Sequence, residues 1–534
     1  MAQRVGAGDG PLNTPAWLRW VWVVPAIFLI ALLGVPLTNV LQRSFDVGAS
    51  FEIAPQLSIA LSAAGQALVS TVLATCIGLP IAGVLATHSF KGRAFTQALV
   101  TVPFVLPTVV IALAFKELLG SAVAPGFFLV VIAHTYINLA VIVRIVGATW
   151  QQLDPRKVTV ARSLGASPFR AFLTVTFPEL RASIASAASV VFVFCFTSLG
   201  VVLVLGNSST RTLESQILRE TSLLLDFPTA AITALLQLAL VSCALLLGAR
   251  ASLKKASTVP TLRFSRLTRA SSRAQRGYIF VVATLACLLV LLPLLSLAYA
   301  SLHSSAGWTL DWWSSLASVD SGTTRLGAPL NAIGTSLRYA ALTGVIAGTV
   351  GVCAAIGVLT HRLGRAVALI ALAPLGISSA TLGLGLMLAF GRPPLDLRGS
   401  DLLIPIAHSI VAVPLVIAVV LPTLLATDRR FAIAASSLGA TPTRAFFTAY
   451  GPILRIVMIA AGGLAACVSL GEFGAASFLT RSSDPTVPVQ IVRLLQRPGE
   501  QSFGVACALA MVLVLGTIAL VAGIDALGKK RWVR

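Results

Sequence analysis

Apolar stretches long enough to cross a bilayer recur along this sequence, near residues 20–41, 61–87, 97–118, 126–149, 182–206 and 228–249, then near 278–301, 332–360, 366–390, 403–425, 456–480 and 503–526. Within hydrocarbon a chain must satisfy its own backbone N–H and C=O groups, so lone stretches of this length are helices. With 57% of its 534 residues hydrophobic and only 11% charged, the chain has no composition for a water-soluble core of this size. The expected fold is therefore an all-α polytopic membrane protein of about twelve transmembrane helices. The first run is too long for a signal-peptide core and lacks a small-residue cleavage site, so it reads as a retained span.

Between the fourth and fifth runs lies a stretch too polar for lipid, Asp154 to Arg181, DPRKVTVARSLGASPFRAFLTVTFPELR. Val158, Ala161 and Leu164, then Phe169, Phe172 and Leu173, recur at helical spacing and suggest two short helices. Gly165 sits between them, where a residue free to take positive φ makes a tight turn. Ser167 is placed to cap the second helix, with Pro168 at its first position and Pro178 marking the return to the membrane. The same stretch occurs again 274 residues on, Asp428 to Arg455, DRRFAIAASSLGATPTRAFFTAYGPILR. Ala161, Gly165, Pro168, Arg170, Phe172 and Pro178 meet Ala435, Gly439, Pro442, Arg444, Phe446 and Pro452, and His134 meets His408. The chain is an internal duplication of two six-helix repeats. It divides into a polar tail (1–19), a first repeat (20–249), a basic linker (250–276) and a second repeat (277–534).

Charge placement orients it. Formal net charge is +21, from 39 Lys and Arg against 18 Asp and Glu. The linker carries Arg250, Lys254, Lys255, Arg263, Arg266, Arg269, Arg273 and Arg276 with no acid. In a soluble protein this would suit nucleic acid; between two spans it reads as a cytoplasmic segment near anionic headgroups. Both repeated loops, the short turns with Lys91 and Arg93 and with Arg362 and Arg365, and the terminal Lys529, Lys530, Arg531 and Arg534 fall on the same side. That is the positive-inside pattern, with both termini cytoplasmic and no nucleic-acid partner. Six spans per repeat give both repeats one orientation, so they can form a pseudo-two-fold pair about the membrane normal.

Chemistry-bearing residues within the spans are few: Lys116, Glu117, Arg144 and Glu472. Lys116 and Glu117 lie near a span end, within snorkelling reach of water. Ser198-Leu199-Gly200 and Ser469-Leu470-Gly471 form paired small-residue segments in the spans after the two loops, and Glu472 adds a charge to one of them. Ser198, Gly200, Ser469, Gly471 and Glu472 are candidates for a translocation path, Glu472 facing either a cavity or a neighbouring helix. His134 and His408 read as structural histidines, and Trp308, Trp312 and Trp313 as interface indoles or a docking surface for an external partner. The seven cysteines all fall in spans and show no metal or disulfide spacing. There is no GxxxxGK[ST] phosphate loop, nucleophile motif or dinucleotide fingerprint. The expectation is a transport subunit rather than an enzyme, with no catalytic and no metal-ligating residues.

The repeated stretches resemble the cytoplasmic EAA loop of ABC importer permeases, whose pattern is Glu-Ala-Ala, three residues, Gly, and a Pro about a dozen positions later. Here it reads Thr159-Val160-Ala161 with Gly165 and Pro178, and Ile433-Ala434-Ala435 with Gly439 and Pro452; the Glu is absent from both copies. The resemblance implies that Ala161, Gly165, Pro178, Ala435, Gly439 and Pro452 frame two loops that dock on two ATP-binding-cassette ATPase subunits. It implies further an extracytoplasmic substrate-binding protein, ATP and Mg bound by the ATPase and no cofactor on this chain, and a place in the bacterial cytoplasmic membrane. Phe196–Gln216 and Asp226–Leu240 resemble thiamine permeases, and GEFGAASFL with Asp484–Gly499 resembles those and their ferric-iron sister group, both of which fuse two six-span halves. The implied substrate is thiamine, with ferric iron the alternative; an ion-coupled secondary carrier is the reading from a different class.

Overall fold

The computed structural model describes residues 15–532 apart from 48–51, 121, 254–266, 271, 318–328, 392–395, 398, 429 and 482. Most of the tail and the middle of the linker, with Lys254, Lys255, Arg263 and Arg266, lie outside the described residues. Among the described residues ten helices are long and apolar enough to span a membrane, and two further bent helix pairs bring the total to twelve. Apart from an isolated parallel bridge between His88 and Thr268, strand pairing among them is confined to the two-residue hairpin His303–Ser304 with Gly307–Trp308.

The third and ninth apolar runs, expected as single spans, are each broken. Arg93–Val105 and Thr108–Leu119 meet at 105°, and Arg362–Gly376 and Ser379–Phe390 at 106°. In the first pair Leu106 is extended (φ −72°, ψ 143°) because Pro107 follows it: the ring crowds the preceding residue out of helical geometry and supplies no N–H. In the second, Ile377 and Ser378 are extended, and the Ser378 hydroxyl accepts the Thr381 N–H at 3.1 Å to start a new helix. The second arm of each pair is interior, with Val109 to Ala114 and Leu384 and Leu386 fully buried.

The chain forms two compact units, neither contiguous in sequence. One joins Arg43–Pro329 to Pro488–Val514. Its Ala54–Thr87 helix runs parallel to Phe127–Trp150, since Gly78 abuts Ile142 and Gly83 abuts Trp150. A Cβ at Gly78 would stand 2.7 Å from the Ile142 side chain, so the small residue permits the approach. Arg273–Ala300, the leading span of the second repeat, packs in this unit: the Tyr136 hydroxyl donates to Val290 O and the Ser296 hydroxyl to Ala114 O, both at 3.1 Å. The other unit joins Met1–Gln42, Leu330–Val487 and Leu515–Arg534. Here the leading span of the first repeat is held, with the Thr360 hydroxyl donating to Leu18 O (3.1 Å) and Trp17 stacked on Phe447 (6.3 Å). Compact unit and sequence repeat are thus different partitions of the chain, each unit taking its leading span from the other repeat.

Candidate functional site

The two repeated loops fold alike, for reasons visible in their residues. Asp154 Oδ1 accepts the Arg156 N–H at 3.0 Å and Asp428 Oδ1 accepts the Arg430 N–H at 2.9 Å, opening the helices Pro155–Ser163 and Arg430–Ser437. Each helix closes on a glycine of positive φ, Gly165 at 87° and Gly439 at 85°. The Ala166 N–H reaches Ala161 O (3.1 Å) and the Gly165 N–H reaches Arg162 O (3.0 Å); in the second copy Ala440 bonds Ala435 O and Gly439 bonds Ser436 O, both at 3.0 Å. These are the paired 6→1 and 5→2 bonds of a Schellman motif, so the Ala-to-Gly spacing of the loop is a helix-stop geometry. Ser167 then caps Arg170 N–H at 3.3 Å and Thr441 caps Arg444 N–H at 3.4 Å, each with proline at the first helical position.

Beyond this point the copies differ. The first copy carries a π-turn at Phe172–Thr176 within its helix, which the second does not. Pro178 and its counterpart Pro452 both lie within a long continuous helix, Pro168–Phe196 and Pro442–Gly471. Lys157 is paired with Glu179 at 2.5 Å, a tie the second copy lacks because Phe431 and Ile453 stand there. The carboxylate beside it holds the Lys157 ammonium above its ordinary pKa.

The leucine before each glycine, which in the sequence only marks helical spacing, is exposed to the outside of the loop. Leu164 is 83% exposed and Leu438 89% exposed. Around them Val160 and Phe169, or Ile433 and Phe431, are also exposed. Gly165 and Gly439 have open space about them, so backbone conformation rather than crowding requires glycine there. Identity of the leucine in both copies, next to an identical glycine, was the available signal.

The second cluster of predicted residues lies at the helix breaks after the loops, and the structure pairs them differently. Gly200 opens the short helix Gly200–Leu205, whereas Gly471 ends Pro442–Gly471; the glycine opening the matching short helix, Gly474–Leu479, is Gly474. The offset of 274 that relates the loops therefore continues, matching Ser198 to Glu472 and Gly200 to Gly474. The repeated Ser-Leu-Gly tripeptides are not equivalent positions. Gly200 packs on Thr108 and Gly474 on Ser379, the first residue of the inner arm of each bent pair. An added Cβ would stand 2.6 Å and 1.9 Å from those hydroxyls.

Ser469 and Glu472 join His408 in one buried network. His408 Nδ1 is 2.8 Å from Ser469 Oγ, which is 3.2 Å from Thr343 Oγ1, and His408 Nε2 is 3.1 Å from Glu472 Oε2. Glu472 also accepts the Ala475 and Ala476 N–H groups at 2.9 and 3.1 Å, capping the next helix. The carboxylate is engaged in an interhelical contact, one of the two roles open to it from sequence. In the other unit His134 Nδ1 is 2.6 Å from the Gln66 amide nitrogen, and Asn138 donates to Cys195, the counterpart of Ser469, at 3.4 Å. Ser198, the counterpart of Glu472, is buried and its carbonyl accepts from Thr212 Oγ1 at 3.1 Å.

Two buried carboxylates escaped the sequence reasoning, Glu214 and Glu220, each 1% exposed on the helix Leu213–Ser222. Glu220 accepts from Gln216 and Thr233, both at 2.9 Å, and Glu214 from Gln237 at 3.5 Å. They lie between the fifth and sixth apolar runs, where the hydropathy pattern places no span. Among the other charged residues, Lys116 lies over the Phe503 ring at 5.9 Å and Arg144 is exposed. Trp312 is buried against Gly504 rather than lying free at an interface, its indole N–H on His303 O at 3.2 Å, while Trp308 is exposed. Among the described residues no group of three or more His, Cys, Asp or Glu side chains is placed to hold a metal ion.

Residues 74–255 match the model of a protein family described as binding-protein-dependent transport system inner membrane component. The chain is 29% identical over 192 residues to the molybdate/tungstate transport system permease protein WtpB of Pyrococcus furiosus, covering 35% of this chain and 77% of that one. It is 29% identical over 220 residues to the probable sulfate transport system permease protein cysT of Nephroselmis olivacea, covering 38% and 78%. It is 24% identical over 476 residues to the thiamine transport system permease protein ThiP of Haemophilus influenzae, covering 84% and 85%.

Proposed function

We infer that this chain is an ABC importer permease, a multi-pass membrane subunit without an ATPase site of its own, and we propose that it transports thiamine. The observation that carries the coupling role is the matched pair of loops. Each ends a short helix in a Schellman turn and presents an exposed leucine with exposed apolar neighbours, a surface suited to a groove on a protein partner. One loop per repeat fits two ATPase subunits, which bind the ATP and Mg, and orients both loops and both termini to the cytoplasm. An extracytoplasmic binding protein delivers the substrate from the other side.

Thiamine is favoured because the likeness to a thiamine permease runs through both repeats, 84% of this chain. The likenesses to molybdate/tungstate and sulfate permeases span 35% and 38% of it, and they make an oxyanion the second reading. The residues proposed for the path are Ser198 and Gly200 in one unit and Ser469, Gly471 and Glu472 in the other, each set at a helix break of its own unit. The test is uptake into proteoliposomes holding this chain, its ATPase and its binding protein, with thiamine, molybdate, sulfate and ferric iron offered separately. ATP-dependent accumulation of thiamine alone is expected; accumulation of an oxyanion or of iron in its place overturns the substrate assignment.

A further inference from the structure

In the unit built on Arg43–Pro329, a cleft of about 940 Å³ opens between the turn after Ala54–Thr87 and the helix Arg273–Ala300. That is near the top of the range for small-molecule sites, roughly 300–1,000 Å³. Its mouth is basic, with Lys91, Arg269 and Arg276, and among the described residues no acidic side chain lines it. The nearby Arg93 guanidinium is turned away, donating to Leu85 O at 2.7 and 3.0 Å. The wall below is apolar, formed by Ala283, Leu288 and Leu291. From Arg276 to Leu291 the helix rises about 22 Å, which reaches from a headgroup region past one leaflet of a hydrocarbon core about 30 Å thick.

The mouth is built rather than incidental. A bridge between His88 and Thr268 straps the end of the linker to the turn: Ser89 N–H donates to Thr268 O at 2.9 Å and Thr268 N–H to Thr87 O at 3.0 Å. His88 Nε2 is 2.6 Å from the Gln275 amide nitrogen. This strap holds Arg269 beside Lys91, although they lie far apart in sequence. The mouth is at the same end of the unit as the Asp154 loop, because Ala54–Thr87 and Phe127–Trp150 run parallel. In the other unit the corresponding turn is closed over by an indole: Trp22 stacks on His361 at 5.8 Å and packs on Gly357.

We propose that this cleft is a binding site for one anionic phospholipid, its phosphate held by Lys91, Arg269 and Arg276 and an acyl chain lying along Ala283, Leu288 and Leu291. A lipid is the occupant, rather than a free anion, because the basic mouth continues into an apolar wall that a soluble phosphate leaves empty. Phe280, exposed on the same helix, borders the open side of the cleft. The site depends only on membrane embedding and is independent of what the protein transports.

The experiment is native mass spectrometry of the full chain in detergent, titrated with dioleoyl phosphatidylglycerol, dioleoyl phosphatidylcholine or inorganic phosphate. One phosphatidylglycerol is expected to be retained in preference to phosphatidylcholine. Arg269→Gln and Arg276→Gln are each expected to weaken retention roughly fivefold. Arg273→Gln, which removes a charge outside the cleft, is expected to leave it unchanged, and Ala283→Trp, which fills the wall but keeps every cation, to displace the lipid. Thermal unfolding of each variant in detergent checks that it is folded. Equal retention of the two lipids, equal losses from Arg273→Gln and Arg276→Gln, or binding of phosphate that phosphatidylglycerol fails to displace would each overturn the proposal.

Discussion

Gly165 and Gly439 hold positive φ with open space where a Cβ would stand, so the cost of a side chain there is conformational alone. Gly165→Ala or Gly439→Ala is expected to destabilise the loop by about 1–2 kcal/mol and to lower ATP-driven uptake while leaving membrane insertion intact. Uptake in proteoliposomes, set against expression in the membrane fraction, checks this; unchanged uptake in both variants removes the coupling role from these turns. Glu472 is a different kind of residue. Its two oxygens serve His408 and two backbone N–H groups within a buried network. An amide offers only one acceptor oxygen, so Glu472→Gln sets an N–H against a donor and is expected to cost about 1–3 kcal/mol. A thermal-shift measurement in detergent reads that cost. Transport by the same variant, measured across thiamine concentrations, tests whether the charge also selects a cation. Wild-type transport by a destabilised Glu472→Gln protein would confine the residue to its structural contact.

At the scale of the element, the loop helix and the helix elbow each depend on one small patch. Leu164 and Leu438 stand just past the loop helices among other exposed apolar side chains, and in the proposed docking role they would fill a partner's groove. Leu164→Asp and Leu438→Asp are each expected to weaken co-purification of the ATPase at least tenfold, with the double variant abolishing it. Full ATPase retention by the double variant would place docking elsewhere. The elbows predict a stability effect instead. Gly200 and Gly474 touch Thr108 and Ser379, where the bent pairs turn through 105° and 106°. Gly200→Val or Gly474→Val must displace that hydroxyl or the arm carrying it, a cost of about 1–3 kcal/mol or more by overpacking. Thermal unfolding of the two variants measures it, and the same substitution at Gly277, which has open space around it, is the control.

For the whole molecule the prediction is topological. The helix Pro442–Gly471 runs away from the second loop, so Ser437 and Ser483 belong on opposite sides of the membrane. With the basic turns and loops inside, a cysteine at Ser437 or Ser163 is expected to label only after permeabilisation, and one at Ser483 in intact cells. Labelling of Ser163 and Ser437 from opposite sides would contradict the shared orientation of the repeats. The interleaved units add a consequence: each carries the leading span of the other repeat, so cutting the chain in the linker leaves neither half with a complete unit. Two separately expressed halves are therefore expected to be stable only together.

What could be read in the sequence was what local chemistry dictates. Lipid forbids unpaired backbone, so the apolar runs had to be helices, and their number could be counted. Gly165 and Gly439, and Ser167 with Pro168, act through bonds a few residues long, so the loop turn was legible; the Asp154 and Asp428 caps are as local but emerged only from the structure. The break at Pro107 lay within that local reach but was hidden by the apolar run around it. The break at Ser378 carried no such mark; its hydroxyl caps only because the chain turns there. What only the tertiary structure decided was every relation between distant residues: that His408 and Glu472 meet, that Gly474 and not Gly471 is the partner of Gly200, and that Glu214 and Glu220 are buried. The exchange of leading spans also belongs to that class. An apolar helix presents much the same surface to lipid as to a neighbouring helix, so hydrophobic pattern alone carries no record of which bundle it joins.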